Sequence, residues 1–204
     1  AVVIALGLPG LAFQAQAQEV VRARPGNLLV VCGPDLRQLV NTNRPFGSVL
    51  PLHGNPARIR GLFDRPGPAT SNLYPGPTVG RLLTSVDVPV MRDGQVRYVL
   101  SMQYLGERLG AILERQRMPR GAIATIYDGD ARVIWSSRAQ RSEVGQRGSN
   151  VLAAGLALGP EGIIDDGAGV IVFSRSSASD WSVAIAVQRS VLTASLWRSL
   201  ALIV

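Results

Sequence analysis

Residues 27–41, NLLVVCGPDLRQLVN, and residues 122–136, AIATIYDGDARVIWS, are two copies of one layout. Each begins with six residues rich in apolar and β-branched side chains. Each then turns, at Gly33-Pro34-Asp35 in the first and at Asp128-Gly129-Asp130 in the second, and returns as a short second strand. The return strands are expected at residues 37–41 and 132–136. A loop carrying a glycine follows each, at Gly47 and at Gly145.

Working outward, each copy ends in an antiparallel hairpin. In the first, residues 81–91 run into Asp93-Gly94 and return from Val96 to Gln103. Asp-Gly between two apolar runs is a strong short-range hairpin signal. In the second, residues 169–175 pass through a serine-rich loop and return as residues 181–187. Between the copies, residues 105–117 have helical periodicity, with Leu105, Leu109, Ile112 and Gln116 near one face. The Met118-Pro119-Arg120-Gly121 stretch ends that helix. A first helix is expected near the N-terminus, where Leu11, Ala15, Gln18 and Arg22 share a stripe. The sequence therefore predicts an α+β chain with two roughly five-stranded antiparallel sheets. Each is packed on the helix that precedes it, because a sheet this small needs a cover for its apolar face.

Composition narrows the chemistry. The 204 residues carry a formal net charge of +7, and every basic side chain is arginine, so lysine-dependent mechanisms are excluded. One cysteine and one histidine cannot form an internal disulfide or the usual zinc sites. No catalytic constellation, metal site or cofactor site is expected, and a small hydrolase would have only His53 to serve as its histidine base. The arginines are scattered, and the three Trp, four Tyr and four Phe offer few stacking platforms, so no nucleic-acid partner is expected. The apolar N-terminus reads as the end of a helix broken at Pro9-Gly10, with a signal peptide over residues 1–18 as the alternative. From Ser190 the chain grows steadily more apolar. Trp197 and Arg198 are placed as interfacial anchors before a membrane span, and an ordinary terminal helix is the alternative.

Four stretches resemble the double-Cache family, tandem PAS-like sensor modules outside the cytoplasm in bacterial membrane receptors. RPGNLLVVCGPDLRQLVNTNRPFGSVLP (24–51) is similar to the first strand pair of such sensors in proteobacterial histidine kinases. VDVPVMRDGQVRYVLSMQY (86–104) resembles the closing hairpin of the membrane-distal module. ERQRMPRGAIATIYDGDARVIWSSR (114–138) resembles the entry to the proximal module, and RSSASDWSVAIAV (175–187) its last strand. The resemblance implies the end of an N-terminal helix at 1–24, a distal module at 25–113, a proximal module at 114–189 and an exit helix at 190–204. It further implies a small-molecule sensor at the periplasmic face of the bacterial inner membrane, flanked by spans, homodimeric, and feeding most often a histidine kinase. A soluble periplasmic binding or adaptor module is the competing reading. Ala131 stands where the family often has glycine, and the family's amino-acid-binding signature is not recognisable.

Strand alternation selects the candidate ligand residues. With the hairpin centred between Asp93 and Gly94, Asp87 pairs near Leu100. Leu83, Ser85, Asp87, Tyr98, Leu100 and Met102 then share a face, with Ser101 and Gln103 opposite. Polar Ser85, Asp87 and Tyr98 among apolar neighbours such as Met102 suit a small-molecule cavity. For Asp87, solvent or a nearby arginine is the alternative. Asn72 and Tyr74 join the set because the resemblance places their segment at the border of the distal cavity. His53 is read as a loop histidine and Cys32 as a small core residue. The Asp128/Asp130 and Asp165/Asp166 pairs are read as turns.

Overall fold

A computed structural model describes residues 10–23, 26–116, 118–119, 121–138 and 143–191. The chain divides into two compact units, Ala1–Arg108 and Leu109–Val204.

The first unit opens with α1 (Gly10–Arg22), then β1 (Asn27–Cys32) and β2 (Gln38–Asn41). Next come α2 (Pro56–Asp64), β3 (Ala69–Thr70) and β4 (Tyr74–Gly76), and the long hairpin β5 (Arg81–Arg92) and β6 (Gln95–Tyr104). The helix α3 (Gly106–Leu113) follows. The second unit contains β7 (Ala122–Tyr127), β8 (Val133–Ser136), α4 (Asn150–Leu158), β9 (Glu161–Asp165), β10 (Gly169–Arg175) and β11 (Ser182–Gln188). The first sheet has the order β2-β1-β6-β5-β3, with β4 also on β5; the second has the order β8-β7-β11-β10-β9. All pairs are antiparallel. The two sheets are topological copies, and the repeat read from residues 27–41 and 122–136 is their first strand pair.

Alternation along β1 divides the first unit into two layers of core. Val30 and Cys32 face α2 and pack with Leu36, Ile59, Leu62 and Val99. Leu29 and Val31 face α1 and pack with Phe13, Ala17 and Val40. Gln14 ties α1 down as well, because its side-chain amide donates to the carbonyls of Asn41 and Arg44, each at 3.0 Å. The inward stripe of α1 is therefore Phe13, Gln14 and Ala17, and the stripe noted in the sequence lies outward, with Leu11 61% exposed.

Two helices, α2 and α4, and three short strands, β3, β4 and β9, were not placed by the sequence. Pro56, set against helix formation around His53, is the first residue of α2, where a missing N–H costs nothing. Asn55 caps that helix by accepting from the Arg58 N–H at 3.4 Å. Ser149 caps α4 in the same way, accepting from the Leu152 N–H at 3.2 Å. Gly162, read as part of a turn, lies within the edge strand β9. The turn proper is held by Asp165 and Asp166, whose carboxylates accept from the backbone N–H groups of Gly167, Ala168 and Gly169. Asp128 organises its turn likewise, accepting from the N–H groups of Asp130 and Arg132 at 3.0 and 2.9 Å. Ala131 closes that turn in the left-handed region at φ 57°, a conformation in which glycine would be unstrained.

In the second unit, α4 lays Leu152 and Leu156 on Ile171, Phe173 and Ala184. The helix α3 ends at Leu113, short of the expected 117. Of the expected exit helix, residues 190 and 191 are among the described ones, and they are helical together with Arg189. Residues 1–9 and the segment expected to enter a membrane lie outside the described residues. No helix among the described residues is long and apolar enough to cross a membrane.

Candidate functional site

The hairpin that carries the candidate residues contains one irregularity. Near the turn, Arg92 faces Gln95 and Met91 faces Val96, the register read from Asp93-Gly94. One step further in, Val90 faces Tyr98, so Arg97 is an extra residue on β6. From that bulge onward every pairing is displaced by one: Asp87 faces Ser101 and Ser85 faces Gln103. Directly opposed residues share a face. The α2 side of the sheet therefore carries Ser85, Asp87, Ser101 and Gln103.

This corrects the expected face. Tyr98, Leu100 and Met102 point the other way, into the layer formed by α1, where they pack against the Phe13 and Ala17 cluster. Tyr98 and Met102 are thereby separated from Ser85 and Asp87 by the sheet itself. Of the six expected ligand residues, the structure brings together Tyr74, Ser85 and Asp87. Asn72 is half-buried in the link between β3 and β4.

Around those three stands a buried polar cluster. Ser85 is fixed by β3's continuation: its N–H donates to Ser71 Oγ at 2.8 Å, and the two hydroxyls are 3.2 Å apart. Tyr74 enters from β4, and its hydroxyl accepts from the Gln103 side-chain amide at 3.1 Å. His53, only 2% exposed, reaches the same group, with Nε2 3.5 Å from Tyr74 Oη and 3.4 Å from the Gln103 amide nitrogen. The His53 N–H donates to the Leu36 carbonyl, and its Nδ1 accepts from the Asn55 N–H at 3.1 Å. With Nδ1 accepting, the neutral ring carries its proton on Nε2, facing the cluster. Burial depresses the His53 pKa from its ordinary 6.5, against an opposing pull from Asp87. Burial also raises the Tyr74 hydroxyl well above 10. Both groups are therefore neutral hydrogen-bonding partners at physiological pH.

Asp87 is the acidic member. It is 0% exposed at the centre of β5, and among the described residues its one ionic contact is Arg58 Nε, 3.5 Å from Oδ2. Neither carboxylate oxygen makes a hydrogen bond, and the Ser101 hydroxyl facing it across the hairpin makes none either. A buried carboxylate accepts strongly and is costly to leave unsatisfied. Asp87 and Ser101 therefore hold unused hydrogen-bonding capacity in the interior of the unit. The geometry offers recognition: one acidic acceptor, several hydroxyls, an amide and an imidazole.

Sequence reading missed His53, Arg58, Ser71, Ser101 and Gln103. The signal for two of them was present: Ser101 and Gln103 alternate with Leu100 and Met102 in β6 as polar residues of a half-buried strand. The bulge concealed which face they share. Cys32 is buried as expected, and burial, with Asp87 and Asp35 nearby, pushes its thiol up to about 12. Among the described residues no group of three or more His, Cys, Asp or Glu could hold a metal. In the second unit, a half-open apolar cleft of about 360 Å³ lies on the sheet face opposite α4, walled by Leu109, Ile126, Trp181 and Val183.

No family model matches the chain, and no curated protein matches it in sequence. Solved structures match it in fold. The extracellular domain of rpHK1S-Z16, assigned as a histidine kinase, superposes with TM-score 0.72 at 15% identity, over 91% of this chain and 80% of that one. An extracellular ligand-binding receptor from Desulfohalobium retbaense gives 0.71 at 15% identity, over 88% of this chain and 34% of that one. The ligand-binding domain of the Pseudomonas aeruginosa amino acid chemoreceptor PctB, in complex with L-Arg, gives 0.62 at 13% identity, over 94% and 77%. At these identities the likeness is one of fold: two PAS-like modules, each an antiparallel sheet with its helices.

Proposed function

We propose that the chain is the extracytoplasmic ligand-sensing part of a membrane signal-transduction receptor, most simply a histidine kinase, and that it binds a small molecule in its first module. In this reading residues 25–113 are the membrane-distal module and 114–189 the proximal one, and the chain from 190 leads toward the membrane. Similar folds serve as extracellular domains of kinases and chemoreceptors, and one of those neighbours holds L-Arg. The observation that carries the reading is the buried, hydrogen-bond-deficient Asp87 amid Tyr74, Ser85, Ser101, Gln103 and His53. A sheet interior spends such groups on a ligand more readily than on packing.

Ligand would act by favouring one of two pre-existing arrangements of the module, to the extent of its differential affinity for them. The full receptor would work as a homodimer anchored at the periplasmic face of the inner membrane.

The test is a thermal-shift screen of the purified chain against amino acids, amines, carboxylates, purines and sugars. A ligand binding only the folded state at a hundred times its Kd adds about 2.7 kcal/mol of stability. A shift abolished by Asp87→Asn or Tyr74→Ala supports the site. A shift indifferent to both relocates it, and silence across the panel overturns small-molecule sensing by this module.

A further inference from the structure

The contact between Asp87 and Arg58 is an unusual ion pair. Asp87 is completely buried, whereas the Arg58 side chain is 31% exposed. The charges lie 3.5 Å apart through Nε, yet neither the carboxylate oxygens nor Arg58 Nε forms a hydrogen bond. An arginine suited to a carboxylate presents a two-pronged fork with short, parallel bonds. Here it supplies proximity of charge without that fork.

The fold does not require this pair. Counted from the capping residue, Arg58 is the third residue beyond Asn55 in α2, and Leu152 is the third beyond Ser149 in α4. The Asp87–Ser101 pairing of the first sheet corresponds to Phe173–Ala184 in the second. The second unit thus builds the same architecture with Leu over Phe, a wholly apolar contact. Replacing a buried ion pair by apolar groups is often neutral or stabilising, so packing alone does not account for Arg58 and Asp87.

We propose that Arg58 is the internal competitor of the ligand: it occupies Asp87 in the unliganded protein, and a ligand's small cationic group, an ammonium or amidinium, displaces it. This rests on reading the cluster as the ligand site, and it assigns the ligand's charge. Once Arg58 swings to water, the side chains left around Asp87 are hydroxyls, the Gln103 amide and the neutral His53 ring, so a cation is received there and an anion is not. Arg58 sits in the first turn of α2 at the protein surface. Its guanidinium can leave by side-chain rotation, and its release alters what holds α2 to the sheet.

The experiment titrates the 204-residue chain with putrescine, tetramethylammonium and methylguanidinium. Butane-1,4-diol and succinate serve as neutral and anionic counterparts of putrescine. Binding is read by calorimetry on the unmodified chain, Arg58→Gln and Asp87→Asn. The expected result is binding of at least one cation, tightened about tenfold or more in Arg58→Gln and lost in Asp87→Asn. A cation that binds more weakly, or equally, in Arg58→Gln makes Arg58 a supporting residue and overturns the proposal. Binding of succinate or the diol alone overturns it while leaving small-molecule sensing intact, and so does silence of every cation when another class binds in the broader screen. Should Asp87→Asn fail to fold, the direction of the Arg58→Gln effect decides by itself.

Discussion

Phe173 holds in the second sheet the register position that Asp87 holds in the first. Asp87 pairs with Ser101, which pairs with Val30, the fourth residue of β1; Phe173 pairs with Ala184, which pairs with Thr125, the fourth residue of β7. Around the Asp87 position the interior is polar and incompletely hydrogen-bonded, whereas Phe173 packs with Leu152, Leu156, Ile171 and Ala184. Phe173→Ala should therefore destabilise the chain by about 3–5 kcal/mol, the usual range for emptying a core aromatic site. Ligand affinity of the folded protein should not change. Urea denaturation and ligand titration of the same variant check both halves, and a fall in affinity would contradict the division.

Tyr74 and Gln103 share a hydrogen bond inside the cluster. Tyr74→Phe removes the hydroxyl and leaves the Gln103 amide short of an acceptor. A stability loss of about 1–3 kcal/mol is expected, together with weaker ligand binding. Tyr74→Phe combined with Gln103→Leu should lose less stability than the sum of the two single changes, while ligand binding stays impaired. A double-mutant cycle by chemical denaturation measures this, and strict additivity would dissolve the link.

His53 is the sole histidine, so it dominates titration between pH 5.5 and 7.5. Burial lowers its folded-state pKa below 6.5, so the unfolded chain takes up the proton first. The stabilisation is complete above 6.5 and is lost as pH falls from there toward the folded value. The slope is at most about 1.4 kcal/mol per pH unit. Denaturation at pH 7.5 and 5.5 should show lower stability at the acid end, and His53→Gln should flatten that slope. An unchanged slope in the variant would assign the effect elsewhere.

Cys32 has no exposed surface, and its thiol is raised to about 12. Thiolate, the reactive form, is then negligible at neutral pH in the folded protein. Labelling by a thiol reagent should follow opening of the first unit, and ligand should slow it. Rapid labelling of the native chain, at the rate of a free thiol, would rule this out.

Gly110 lets α3 lie against Trp135. A Cβ there would come within 2.1 Å of the indole ring. Gly110→Ala favours the helix by up to about 1 kcal/mol, yet forces the ring aside at a cost of about 1–3 kcal/mol. A net loss of thermal stability is expected, accompanied by a change in tryptophan fluorescence. Unaltered fluorescence and raised stability would show that the helix yields instead.

Much of this architecture was readable because strand periodicity survives in isolation. The bounds of β1 and β7 were legible to the residue, and the Asp93-Gly94 turn adopts the left-handed pair of conformations its residues favour, with φ of 51° and 73°. The helices α2 and α4 were not legible. Each is nine residues long, and their places in the core come from tertiary contacts of Ile59, Leu62, Leu152 and Leu156. His53 was hidden for a related reason. It lies in a loop, as its glycine and proline neighbours indicate, but that loop is folded beneath Tyr74, and no local pattern records burial of that kind.

The extra residue at Arg97 has a consequence for comparison between chains of this fold. It acts as a phase slip: outside it the hairpin keeps one parity, and inside it the other. An alignment that matches the Asp-Gly turns of two such hairpins while ignoring the slip would map the α2-facing side chains of one onto the α1-facing side chains of the other. Side chains grafted between such hairpins on that basis would be delivered to the wrong side of the sheet, so transplants should be anchored at the Asp87–Ser101 pairing rather than at the turn.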